Sequence, residues 1–203
     1  MDKPPKQPPL SKIRSKIQEF QNIDLNHADL EVLKEKISYL LIGHTITTPI
    51  LVPDWNLFRG TRKTTKPNFV SEISYPPNDK IKTYQRANRP GHAMFYCSLS
   101  RDVPFFEIGA KPTEHITISK WKITEKIAIN NVGYHADTFK KLGSNRTLPS
   151  WQNPSSRHSQ ADLIISNFFS DEFTKYIPDG SKYLYKISAA IAEKLYEGTI
   201  NMR

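Results

Sequence analysis

The chain has a single cysteine, Cys97, among 203 residues, which excludes an internal disulfide and agrees with a reducing compartment. No apolar run approaches the roughly 20 residues a bilayer-spanning helix needs. Met1-Asp2-Lys3-Pro4-Pro5 has no signal-peptide core behind it. A soluble, cytoplasmic protein with no membrane partner is therefore expected. The six histidines show no paired metal-ligand spacing, so no metal is expected, and no Ser-His-Asp or Cys-His arrangement is legible. Helix-turn-helix, zinc and RNP-like signatures are also missing, which makes nucleic acid a disfavoured partner. The chain has no internal repeat and no clear domain boundary.

The composition nevertheless supports a packed fold, with 37% hydrophobic and 11% aromatic residues, enough to bury a core. Lys and Arg number 29 against 20 Asp and Glu, a net charge of +9. Such an excess attracts anions, whether a nucleotide, a nucleic acid or an acidic protein.

Residues 1–10 contain four prolines and two lysines and read as a flexible tail. Ile13, Ile17 and Phe20 recur at helical spacing. Leu30, Leu33, Ile37, Leu40 and Leu41 line one face of a second helix that either Asp24 or Asn26 can cap. Residues 11–45 thus form an N-terminal helical extension, a packing element or partner surface, ahead of a main domain at 46–203. Two short strands are expected between Ile46 and Arg59, then a long loop at 64–84. Strands follow at His115–Ile123 and Lys126–Val132, then a polar loop at Gly143–Ser159. Helices at Ala161–Tyr176 and Tyr183–Leu195 complete an α+β pattern.

The most informative stretch lies between. Asn88-Arg89-Pro90-Gly91 has turn chemistry, and His92–Cys97 reads as a buried strand. Ser98 or Ser100 can cap a short helix with Pro104 in its first turn. Glu107 falls on that helix beside Phe105, Phe106 and Ile108, either partly buried or aimed into a cleft. The pattern Arg86-x-Asn88-x-Pro90-Gly91, then Tyr96-x-Ser98, then Glu107, resembles the RES domain, a family named for its Arg, Glu and Ser. Leu57-Phe58-Arg59-Gly60-Thr61-Arg62 is similar to the family's first arginine strand. Where the family often has Gly-Arg-Trp-Asn, this chain has Gln85-Arg86-Ala87-Asn88. The resemblance implies an ADP-ribosyltransferase-like mixed β core with flanking helices, NAD as substrate, and a toxin paired with an antitoxin protein. The family's Ser is carried onto Ser188, or else lies beyond Arg203.

Cleavage of the nicotinamide–ribose bond develops oxocarbenium character, which a carboxylate at the reacting centre stabilises. Glu107 suits that role. Arg59 and Arg86 suit the pyrophosphate, because a guanidinium fork matches phosphate oxygens. Arg62, Arg89 and Arg101 read as solvated. Asn88 either supports the loop or touches a phosphate. Tyr96 can offer its ring to nicotinamide and its hydroxyl to ribose, and alternation puts it on the face opposite Phe95 and Cys97. The catalytic set implied is Glu107, Arg86, Tyr96 and Ser188; Arg59, Arg86, Asn88 and Tyr96 would bind NAD. Water, phosphate or a protein side chain can be the acceptor. A basic nucleic-acid-binding module, suggested by the cations and aromatics of residues 57–89, and an inactive RES-like scaffold are the rival readings.

Overall fold

Amphipathic helices from opposite ends of the chain bury their apolar faces together. The computed structural model describes residues 5–46, 50–63, 65–130, 132 and 159–200. Most of the expected Gly143–Ser159 loop lies outside them. The described residues are α+β, with five α-helices and two small antiparallel two-stranded sheets. They divide into two compact units. One is helical (Met1–Pro49, Thr83–Pro90, Asn130–Arg203) and the other holds the strands (Ile50–Lys82, Gly91–Ile129). This division cuts across the expected boundary at residue 46, because the helices of 11–45 share their core with helices near the C-terminus.

In the helical unit, α1 (Leu10–Gln21) and α2 (Leu30–Leu41) pack with α4 (Gln160–Thr174) and α5 (Lys186–Ile200). Their core contains Ile13, Phe20, Leu33, Ile37, Leu40, Ile165, Phe168, Phe169, Ile187, Ile191 and Leu195. Each such side chain contributes about 1.5–3 kcal/mol on burial. The cap of α2 is Asp29, whose carboxylate accepts from Glu31 N and Val32 N, not Asp24 or Asn26. Asp24 instead accepts from Asn26 N and His27 Nδ1, holding a turn that delays the helix. A 3-10 turn (Lys182–Tyr185) precedes α5, so that helix begins later than Tyr183.

The start of α4 is the most constrained point of this unit. Ser159 and Asp162 form a reciprocal capping box. The Asp162 carboxylate also accepts from Gln7 Nε2 (2.6 Å) and Thr45 N (2.8 Å) and lies 2.9 Å from His44 Nδ1. Ser159 Oγ donates to the Asp162 carboxylate at 2.8 Å and also lies 2.7 Å from Gln7 Oε1. Residues 5–9, expected within a flexible tail, are therefore tied to α4, and Leu10 already belongs to α1. Gly43 permits this approach: its φ is +65°, and a Cβ there would meet Pro5 O at 2.5 Å and Gln7 N at 2.8 Å.

In the strand unit, β2 (Asn56–Thr61) pairs antiparallel with β3 (Thr117–Lys122), placing Leu57 opposite Trp121 and Arg59 opposite Ser119. A second pair joins β1 (Ile50–Leu51) to β4 (Ile127–Ala128), shorter than the Lys126–Val132 strand expected. The 64–84 loop contains two 3-10 turns, Val70–Glu72 and Asn78–Lys80. Helix α3 (Val103–Glu107) has Asp102 at its N-cap with no side-chain cap. Ser98 Oγ and Ser100 Oγ accept from Ser100 N and Asp102 N, shaping the approach to the helix without capping it. Among the described residues, no helix is long and apolar enough to cross a membrane.

Burial opposes ionisation of Asp162, but hydrogen bonds from Thr45 N, Ser159 N, Ser159 Oγ and Gln7 outweigh it and hold its pKa below the ordinary value. A depressed folded pKa contributes stability above the unfolded value of about 4, which is lost as pH falls through the folded value. Asp162→Asn should therefore flatten the acid limb of a stability–pH profile, and Asp162→Ala should cost about 3 kcal/mol or more in urea melts. A cost within measurement error would contradict the hub. Gly43→Ala should likewise lower the urea midpoint and expose residues 5–9 to protease; cleavage at the wild-type rate would refute the close approach.

Candidate functional site

Arg59 lies in the middle of β2, opposite Ser119, whose Oγ donates back to the Arg59 carbonyl at 3.1 Å and accepts from Trp121 Nε1 at 2.8 Å. The Arg59 guanidinium rests 5.2 Å from the centre of the Phe95 ring. Phe95 in turn meets Trp121 edge-on at 5.0 Å and Tyr75 at 5.4 Å. One guanidinium donor, Nη1, is used by the Tyr96 carbonyl at 2.9 Å. Arg59 Nε is buried without a hydrogen-bond partner, and so is the Oγ1 of Thr61. Side chains two residues apart on a strand share a face, so these polar atoms belong to one side of β2.

The same geometry explains why His92–Cys97 is not a strand. Only Ser98 pairs with β2, exchanging both backbone hydrogen bonds with Phe58 (2.7 and 2.8 Å). Beyond it the Tyr96 carbonyl receives a side chain instead of a ladder amide.

Helix α3 packs on β2 where the strand has no side chain. A Cβ on Gly60 would meet Pro104 Cβ at 3.2 Å and Ile108 Cδ1 at 3.3 Å. Glu107 ends this helix and is exposed, as is Phe106 at 82%, so the aromatic neighbours do not bury the carboxylate. Its charge still reaches the arginine and the thiol. Burial raises the Cys97 pKa, Glu107 raises it further and Arg59 lowers it. Burial also disfavours the Arg59 charge, while Cys97, Glu107 and Tyr75 support it. Arg62, read as solvated, instead donates to the carbonyls of Ile108 and Gly109 and pairs with Glu114 at 3.2 Å, clamping the end of α3.

Arg86, Asn88 and Ser188 belong to the helical unit, and Arg59, Tyr96 and Glu107 to the strand unit. Gln85 and Asn88 exchange backbone hydrogen bonds of 2.9 and 3.3 Å, which puts Arg86 within a tight turn, not before it. Asn88 is 2% exposed, and its Nδ2 donates to the Arg89 carbonyl at 3.4 Å. The Arg86 guanidinium sits 5.4 Å from the Tyr185 ring centre, and its Nη1 is buried without a partner. Ser188, 1% exposed, donates to the Tyr185 carbonyl at 3.1 Å, so it supports the residue beneath Arg86.

Arg89 is not merely solvated. It forms a bidentate pair with Glu193 and a 2.7 Å pair with Glu31. Lys34 and Lys194 extend this network to Glu197. Sequence reasoning missed this role and the Arg86–Tyr185 contact because both join residues distant along the chain, and it passed over Lys182, whose contacts with Asp179 and Tyr185 are local. Ser159-x-x-Asp162 was the one local signal available, as a capping box. Among the described residues, no group of three or more His, Cys, Asp or Glu is placed to hold a metal ion. No protein-family model matches the chain, and comparisons with curated proteins and solved structures find no match.

The Arg59–Cys97–Glu107 coupling has a direct readout in thiol alkylation. A raised pKa should make Cys97 react more slowly with iodoacetamide at pH 8 than a free thiol. Glu107→Gln should accelerate the reaction severalfold and Arg59→Gln should slow it. Identical rates in all three proteins would show that these charges do not meet.

Proposed function

We propose that the chain is an NAD-consuming enzyme of the RES type, with an ADP-ribosyltransferase-like core and the toxin role that the resemblance implies. The observation carrying this reading is the side of β2 where Arg59 Nε and Thr61 Oγ1 are both buried without partners, with the Glu107 charge in electrostatic reach. Buried donors lacking partners are costly, typically by about 1–3 kcal/mol each. Phosphate oxygens would satisfy both. Arg59 remains protonated despite its burial, supplying the charge a pyrophosphate requires.

In the reaction, the bond between ribose C1′ and the nicotinamide nitrogen breaks, and its electron pair leaves with neutral nicotinamide. Glu107 stabilises the positive charge developing on the ribose. Water, phosphate or a protein nucleophile then bonds to C1′, and any proton displaced from it passes to a base or to solvent. The identity of that nucleophile separates a glycohydrolase from a phosphorylase or an ADP-ribosyltransferase.

A second reading, single-stranded nucleic-acid binding, is favoured by the exposed rings of Phe69 (70%) and Tyr75 (58%) in the loop that also exposes Lys66, Lys80 and Lys82. Its mark would be RNA or DNA affinity that falls steeply with salt.

Incubating the purified chain with NAD and following nicotinamide release tests the enzyme reading. Glu107→Ala should reduce the rate by about 100-fold or more, and Arg59→Gln should raise KM for NAD. NAD left unchanged by the wild type, with Glu107→Ala indistinguishable from it, would remove the enzyme reading. NAD binding without turnover would leave the inactive scaffold.

A further inference from the structure

In the helical unit, two cations share one aromatic ring. Arg86 Cζ is 5.4 Å and Lys182 Nζ 5.8 Å from the centre of Tyr185. A third cation, Lys186, lies 5.6 Å from the Tyr84 ring, and its ammonium donates to the carbonyls of Asn26 (3.2 Å) and Ala28 (2.8 Å). Neutral carbonyls stabilise that charge without cancelling it. The carboxylates that could neutralise the group are engaged elsewhere: Glu31 and Glu193 pair with Arg89 and Lys34. Among the described residues, Lys182 pairs with fully exposed Asp179 at 3.1 Å, and Arg86 has no carboxylate partner.

We infer that Arg86, Lys182 and Tyr185 form a binding site for a phosphate or pyrophosphate group. Three observations carry it. The Arg86 Nη1 donor is buried and unmet, so an oxygen acceptor would remove a standing cost. The backbone hydrogen bonds between Gln85 and Asn88 fix the turn bearing Arg86, and the Ser188 hydroxyl holds the Tyr185 backbone, so much of the site is set before a ligand arrives. The local charge is an excess of cations on a partly buried surface, where an anion relieves repulsion between like charges. Arg86 would supply the directional fork and Lys182 a mobile point charge. Both heads lie near the centre of the same ring.

This inference extends the role of Arg86 to new residues and does not rest on NAD turnover. NAD hydrolysis can fail while phosphate binding persists, and the reverse can also occur.

The test titrates inorganic pyrophosphate into the full chain by calorimetry at low salt, for the wild type and two surface variants. Wild type should bind saturably. Lys182→Ala should weaken binding about tenfold, the scale of one charge-assisted hydrogen bond. Asp179→Ala, which frees Lys182 from its competitor, should tighten it severalfold; a merely structural Lys182 would give no such gain. NAD competition then identifies the source: displacement of pyrophosphate assigns the site to the dinucleotide, and no displacement assigns it to free phosphates. Absence of saturable binding, or equal affinity in wild type and Lys182→Ala, overturns the inference.

Discussion

The helical unit depends on one buried carboxylate. Asp162 is 3% exposed, and such a group is tolerated only when its oxygens are hydrogen-bonded. Here those bonds come from three parts of the chain: Gln7 ahead of α1, the His44–Thr45 segment after α2, and Ser159 at the head of α4. The apolar core by itself is permissive, since leucines and isoleucines pack in many arrangements of similar energy. Directional bonds to a single acceptor are not. They fix the axial position of α4 against the segments flanking α1 and α2.

That contrast explains what could be read from the sequence. The four long helices were legible because the spacing of Ile13, Ile37, Phe168 and Ile191 reports a buried face directly. Most of β2 and all of β3 were legible from β-branched and aromatic residues. The cap of α2 was misplaced because Asp24, Asn26 and Asp29 are equally competent caps by residue type. Only the turn stabilised by Asp24 and His27 decides among them. The strand expected at His92–Cys97 failed for a longer-range reason: a side chain from β2 takes the Tyr96 carbonyl, which no local pattern reveals.

The arginines divide in the same way. Residue type and motif position drew attention to Arg59 and Arg86, and these two each have a guanidinium over an aromatic ring and a buried donor without a partner. Arg62 and Arg89, assigned to solvent on the general behaviour of surface arginines, are held by backbone carbonyls or carboxylates. Whether an arginine is structural depends on which acceptors the fold brings to it, and those acceptors lie from 46 to 104 positions away in sequence.

Satisfied and unsatisfied arginines make different demands on a ligand. A guanidinium already paired in two directions, as Arg89 is, gains little from an incoming phosphate and would first have to release its carboxylates. One stacked on a ring with an unmet donor has already lost solvation and side-chain freedom. An anion binding there gains a charge-assisted hydrogen bond without first breaking an ion pair. By this argument, affinity for phosphate should concentrate at Arg59 and Arg86 despite the many more exposed cations that give the chain its net charge of +9.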